Sequence, residues 1–258
     1  MKSRIERTFR RLKKENRKAF IPYIMAGDPD IEKTKDFVLI FEECGADIVE
    51  LGVPFTDPLA DGPTIQRASE RALRNGITLK KVITFVRDLR KNTHIPIILM
   101  TYYNPVFKYP EEIFVRDAKE AGIDGVIIPD LPPDEAGDLI KLSRRTGLDT
   151  IFLLAPTSKE ERMKKVSKAS SGFIYYVSIT GITGALLQMD GSMEALISEI
   201  KKHTEKPIAV GFGISTPEEA SAVAGLSDGV IVGSAIVKMI NESPDELKNY
   251  LVSLRRAI

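Results

Sequence analysis

Eight short apolar runs recur along the chain, at residues 20–26, 47–51, 96–100, 125–129, 150–154, 173–178, 207–211 and 229–233. Each has the length of a strand. The segments between them carry apolar residues at three- to four-residue spacing and mostly open on capping and acidic residues, which predicts helices over 30–43, 110–121, 133–145, 158–169, 192–203, 217–224 and 244–255. Strand and helix therefore alternate from end to end.

Eight β/α units in 258 residues, with no Pro/Ser/Gly-rich linker and no shift in composition between halves, predict one (β/α)8 TIM barrel over 1–258 rather than a doubly wound sheet. Two features lie outside the repeat. Ile5, Phe9 and Leu12 predict an extra amphipathic helix at the N-terminus, and extra material at 56–74 precedes a helix at 78–91 in the longest gap, between the second and third strands. Such an insertion belongs over the barrel mouth. No apolar run approaches the ~18 residues of a transmembrane helix.

The composition is that of a globular chain, 43% hydrophobic and 28% charged, and a net charge of +1 provides no global field for nucleic acid or an anionic membrane. The charge is uneven. The first twenty residues carry nine basic and two acidic side chains, a local +7 that leaves −6 for the rest, which reads as a helix with a solvated basic face. Glu6 and Glu15 interrupt the basic run and argue against a transit peptide. One cysteine, Cys44, and two histidines, His94 and His203, argue against an internal disulfide or a structural metal site and for a reducing, cytoplasmic setting.

In a barrel the chemistry belongs at the C-terminal ends of the strands. Glu50 interrupts the second strand on the same face as Ile48 and so points inward, where lost hydration raises a carboxyl pKa toward the range useful for proton transfer. A structural Glu paired with the backbone or a basic group is the alternative. The loop after it adds Asp57 and Asp61, which either divide acid and base roles with Glu50 or serve as turn and helix caps. Gly211-Phe212-Gly213 after the seventh strand and Gly233-Ser234 after the eighth let backbone N–H groups approach an anion at helix N-termini, which predicts a phosphorylated ligand. The glycine-containing loop 178–185 supplies a third wall and fits a lid. Tyr23, Tyr102, Tyr175 and Phe212 sit at strand ends around the mouth, as pocket walls for a flat apolar ligand or as ordinary packing.

The runs Phe20-Ile-Pro-Tyr-Ile-Met-Ala-Gly-Asp-Pro29, Glu50-Leu-Gly-Val-Pro-Phe-Thr-Asp-Pro-Leu-Ala-Asp-Gly-Pro-Thr-Ile-Gln66, Thr183-Gly-Ala185, Gly211-Phe-Gly-Ile-Ser215 and Gly233-Ser-Ala-Ile236 resemble the alpha subunit of tryptophan synthase, and the likeness spans essentially the whole chain. The resemblance implies a lyase that cleaves indole-3-glycerol phosphate to indole and glyceraldehyde 3-phosphate and passes indole to a pyridoxal-phosphate-dependent beta subunit in an alpha2beta2 assembly. No cofactor or metal is implied in this chain. It implies Glu50 as acid/base and Asp61 as the carboxylate on the indole nitrogen, supported by Tyr102 and approached by Thr183. Gly184, Gly213, Gly233 and Ser234 would hold the phosphate; Tyr23, Leu153, Tyr175 and Phe212 would surround the indole and glycerol parts.

This chain departs from the resemblance at the lid, where Ile179, Thr180, Leu186 and Leu187 stand in place of basic or polar residues, and at Tyr23, where relatives often have Phe and this chain adds a hydroxyl. The loop Thr56 to Pro63 after the second strand, with Asp57, Pro58 and Leu59, and the loop Asn104, Pro105, Val106 and Phe107 after the third predict either an apolar, proline-stiffened rim suited to a partner protein or apolar residues packed under their own loops. Two other readings share these residues: a lyase that works without a partner, and a phosphate-binding barrel that acts mainly as an activating subunit.

Overall fold

The computed structural model describes residues 2–177, 191–211 and 213–258. The chain begins with α1 (Arg4–Lys14), capped by the Ser3 hydroxyl, which accepts the Glu6 N–H at 3.1 Å. Ile5, Phe9 and Leu12 are buried along its inner face, each contributing about 1.5–3 kcal/mol over exposure. There follow β1 (Ala19–Met25), α2 (Ile31–Glu43), β2 (Val49–Gly52), α3 (Pro63–Arg74), α4 (Leu79–Leu89), β3 (Ile97–Met100), α5 (Tyr103–Lys108) and α6 (Glu111–Glu120). The second half runs β4 (Gly125–Ile127), α7 (Gly137–Thr146), β5 (Asp149–Ile151), β6 (Leu153–Leu154), α8 (Glu160–Ala169), β7 (Ile174–Val177), α9 (Ser192–His203) and β8 (Ile208–Gly211). It ends with α10 (Pro217–Leu226), β9 (Gly229–Val232), α11 (Ser234–Glu242), a 3-10 turn (Pro244–Glu246) and α12 (Leu247–Ala257).

The nine strands form one parallel sheet in the order β5-β4-β3-β2-β1-β9-β8-β7-β6. Its two ends are pieces of a single run, because the strand expected over 150–154 divides at Phe152. The Phe152 carbonyl still accepts the Tyr175 N–H at 3.1 Å, so the sheet meets itself and eight expected runs make a barrel of nine strands.

Acidic residues lock the base of this barrel. Gly45 and Gly122 take left-handed φ angles of 89° and 88° after α2 and α6, turning the chain so that Asp47 and Asp124 follow two residues later. Each carboxylate accepts the backbone N–H at or beside a neighbouring strand, Asp47 from Phe20 at 3.1 Å and Asp124 from Ile97 at 2.9 Å. Asp228 does the same for Ile208 at 3.0 Å. Buried carboxylates need cations nearby. Arg11 and Arg255 reach Asp47 at 3.3 and 3.0 Å, and Arg4 and Arg90 reach Asp124 at 3.4 and 2.8 Å. The basic face of α1 is therefore not wholly solvated as expected; two of its arginines seal the barrel floor.

Three further boundaries differ from expectation. The helix expected over 133–145 begins at Gly137, because the Pro132 carbonyl holds a turn by accepting the N–H groups of Glu135 and Ala136. The 104–107 segment is helical, within α5, and Val106 is buried beneath it instead of lining the rim. Residues 234–242, outside the predicted helices, form α11.

Candidate active site

In-register pairing of β1 with β2 sets Tyr23 opposite Glu50, and β2 with β3 sets Gly52 opposite Met100. Residues two apart on a strand share a face, so these positions stack in layers inside the barrel. Tyr23, Glu50, Met100, Tyr175 and Ile231 enter a cavity open to solvent at the C-terminal ends of the strands, with about 490 Å³ of empty space including its mouth, joined by Asp61, Ile65, Gly213, Ile214, Gly233 and Ser234. Glu50 is 1% exposed, and neither of its carboxylate oxygens has a hydrogen-bond partner among the described residues. Among the described residues, neither the backbone nor a basic group pairs with Glu50. Burial first, and the nearby Asp61 charge second, push its pKa up to about 8.

Asp61 hangs over the same cavity from the loop after β2. It does not cap α3: that helix starts from Gly62 with Pro63 in its first turn and no side-chain cap. Burial raises the Asp61 pKa to about 6, opposed by a hydrogen bond from the Tyr102 hydroxyl. Tyr102 stands behind Asp61 and outside the cavity lining, stacked on Phe55 with ring centroids 5.3 Å apart. The loop is tied down further along by Arg71 of α3, which grips buried Asp28 with two hydrogen bonds of 2.6 and 2.8 Å. Two carboxylates thus face one cavity with their pKa values pushed apart, an arrangement that separates acid and base roles.

The two glycine-rich strand ends are not equivalent. At α10 the helix serves itself: Glu219 accepts from the N–H groups of Ser215 and Thr216 at 2.7 and 3.0 Å and completes a capping box with Thr216. At α11 no side chain among the described residues caps the helix, and Gly233 and Ser234 at its start line the cavity. Free N–H groups and the helix dipole point there at anion-sized space. Gly213, with φ of 80°, contributes backbone to the same wall.

Of the remaining expected residues, Leu153 pairs in register with Tyr175 but is not among the cavity-lining residues. Thr183, Gly184, Phe212 and the whole lid segment 178–190 lie outside the described residues. Asp57, Pro58, Asn104 and Phe107 lie beyond the cavity, on the rim; the Asp57 carboxylate accepts from the Thr56 hydroxyl at 2.7 Å. Among the described residues the exposed large hydrophobic side chains are Leu59, Phe107 and Ile113, and the first two follow β2 and β3 on that rim. Sequence reasoning missed Ile65, Met100 and Ile231 as walls, although the two-residue period from Glu50 to Gly52, carried across the sheet by register, leads to Met100.

Fold and cavity define a (β/α)8-barrel protein with two carboxylates and an uncapped helix N-terminus at its mouth. The family model described as tryptophan synthase alpha chain matches residues 9–257. The tryptophan synthase alpha chain of Geotalea uraniireducens is 54% identical over 250 residues, 96% of this chain and 94% of that one, and the chain of the same name from Geobacter sulfurreducens is 49% identical, covering 99% of each. Among solved structures, the tryptophan synthase subunit alpha of Legionella pneumophila matches with a TM-score of 0.91 and 39% identity over 100% of this chain and 99% of that one. A chain of the Mycobacterium tuberculosis tryptophan synthase matches with a TM-score of 0.93 and 37% identity over the same shares. The chain belongs to the tryptophan synthase alpha chain family, lyases of tryptophan biosynthesis.

Proposed function

We propose that this chain cleaves indole-3-glycerol phosphate to indole and glyceraldehyde 3-phosphate and hands the indole to a beta subunit. The observation that carries the reading is the carboxylate of Glu50, buried without a partner among the described residues in the cavity that Asp61 also faces. The cleavage adds a proton to the ring carbon that bears the side chain. It removes one from the hydroxyl on the adjacent carbon, which becomes the aldehyde as the carbon–carbon bond breaks toward the ring. With a pKa of about 8, Glu50 has both protonation states accessible near neutrality, as an acid/base needs. Asp61, with a pKa of about 6, is largely ionised there and suits the positive charge that builds on the ring nitrogen. Gly213, Gly233 and Ser234 hold the phosphate by backbone groups, with Gly184 completing that wall. Tyr23, Tyr175, Leu153 and Phe212 surround the organic part, Tyr102 positions Asp61, and Thr183 closes against it.

The whole chain works as one barrel domain in the cytoplasm. Its partner is a pyridoxal-phosphate-dependent beta subunit in an alpha2beta2 assembly, docked on the rim of Asp57, Pro58, Asn104 and Phe107, where Leu59 and Phe107 stand exposed. The test is a turnover assay on indole-3-glycerol phosphate with and without a cognate beta subunit. Indole release that rises on adding the partner supports the reading. Rapid turnover alone, with no complex at micromolar concentrations, replaces it with the stand-alone lyase; negligible cleavage under both conditions leaves an activating subunit.

A further inference from the structure

Tyr23 carries more than an aromatic wall. The base of its ring lies along Gly233: a Cβ built there would sit 3.6 Å from both Cβ and Cδ1 of Tyr23. From there the ring leans across to β2, and its hydroxyl rests directly over Gly52, the one residue type that leaves room for it. Gly52 is the next inward position above Glu50 on the same strand, and the loop carrying Asp61 follows it. The Tyr23 hydroxyl therefore lies one layer above Glu50, near where the loop carrying Asp61 departs, and after burial both of their charges act to hold its proton on. It lines the cavity, and among the described residues it makes no hydrogen bond. The Tyr102 hydroxyl, in contrast, is committed to the Ala60 N–H and to Asp61. A hydroxyl facing an open cavity keeps hydrogen bonds to solvent only until a ligand fills the space, so a ligand that supplies one in their place gains by it.

We propose that Tyr23 is a further catalytic residue of this chain, its hydroxyl donating a hydrogen bond to the substrate side-chain hydroxyl whose proton Glu50 removes. The inference rests on the reaction proposed above. As that proton leaves, negative charge gathers on the oxygen before the carbon–carbon bond breaks and the carbonyl forms. A fixed neutral O–H aimed at this oxygen is worth more in the transition state than in the ground state. The same hydroxyl also selects for a side chain that carries an oxygen at this carbon.

The test is Tyr23→Phe, which removes one oxygen and keeps the ring on Gly233. For indole-3-glycerol phosphate, kcat should fall about 10-fold or more with KM changed less than about 3-fold. Affinity for an analogue with a plain propyl phosphate side chain, lacking both hydroxyls, should be unchanged. Unchanged kcat overturns the proposal. So does an equal loss of affinity for the analogue and the hydroxylated substrate, the mark of a packing role; affinity for the substrate itself is read in a Glu50→Gln background. If Glu50→Gln alone retains full turnover, the assignment of the acid/base fails first, whereas an inactive Glu50→Gln beside a fully active Tyr23→Phe removes only the role of Tyr23.

Discussion

The hydroxyl of Tyr102 accepts the backbone N–H of Ala60 at 3.0 Å while it donates to the carboxylate of Asp61, the next residue. One side chain from the end of β3 thus fixes both the path and the charge of the loop that follows β2. The hydrogen bond lowers the Asp61 pKa against the upward pull of burial. Tyr102→Phe keeps the stacking on Phe55 and removes the donor, so the Asp61 pKa should rise above about 6. The acidic limb of the kcat/KM profile should move to higher pH by the same amount, and activity near neutrality should fall about 10-fold. A variant with reduced activity but an unmoved acidic limb would separate Tyr102 from Asp61.

Glu50 exchanges stability for chemistry. Its folded pKa of about 8 lies above its ordinary value of 4.5, so the folded state keeps a proton that the unfolded state releases. The favourable contribution is complete below the ordinary value and is lost as pH rises through the folded pKa. Glu50→Gln removes the titration. The stability difference between variant and wild type should grow in favour of the variant by about 2 kcal/mol or more from about pH 5 to about pH 9. Urea denaturation across that range measures it, and a pH-independent difference would contradict the burial of an unpartnered carboxyl.

Gly233 and Gly213 test the phosphate cradle differently. At Gly213, φ of 80° strains any side chain, so loss of binding there would mix strain with blockage. At Gly233 φ is −113° and the nearest atoms to an added Cβ, on Tyr23, stand at ordinary contact distance. Gly233→Ala should therefore fold and melt close to wild type, and its affinity for glycerol phosphate, by calorimetry, should fall about 10-fold or more. Unchanged affinity would make Gly233 a turn former alone.

Phe107 is 68% exposed within α5, its ring centroid 6.0 Å from that of Tyr103. Phe107→Asp should leave the thermal unfolding of the isolated chain within about 2 °C of wild type, since surface substitutions rarely cost more than about 0.5 kcal/mol. Its complex with a cognate beta subunit should weaken about 10-fold or more, with a matching loss of activation. Equal affinity for both forms would move the docking surface off this rim.

The barrel was legible because each strand is an apolar run and each helix an apolar stripe, and those periods survive without knowledge of partners. The split at Phe152 was not, since a continuous run of Thr150 to Leu154 carries no mark of where the ladder is interrupted. α5 hid behind Pro105, which reads as a loop when no structure shows it in the first helical turn. At the site, Glu50 announced itself as a charge in an apolar strand, and Asp61 only as one of two loop carboxylates. Its choice over Asp57 depends on Tyr102, forty-one residues further on, and no local pattern encodes that contact. The unequal glycine ends follow the same logic: Glu219 claims the start of α10 through a capping box, whereas nothing in Ser234-Ala-Ile announces an uncapped helix.

The central claim, that Glu50 transfers protons in cleavage of the carbon–carbon bond, is tested most directly by timing indole and glyceraldehyde 3-phosphate release from indole-3-glycerol phosphate by wild type and Glu50→Gln, with the cognate beta subunit present. Wild type should release the two products in equal amounts, and Glu50→Gln should slow both by about 100-fold or more while still binding glycerol phosphate. Near-normal release by Glu50→Gln would contradict it.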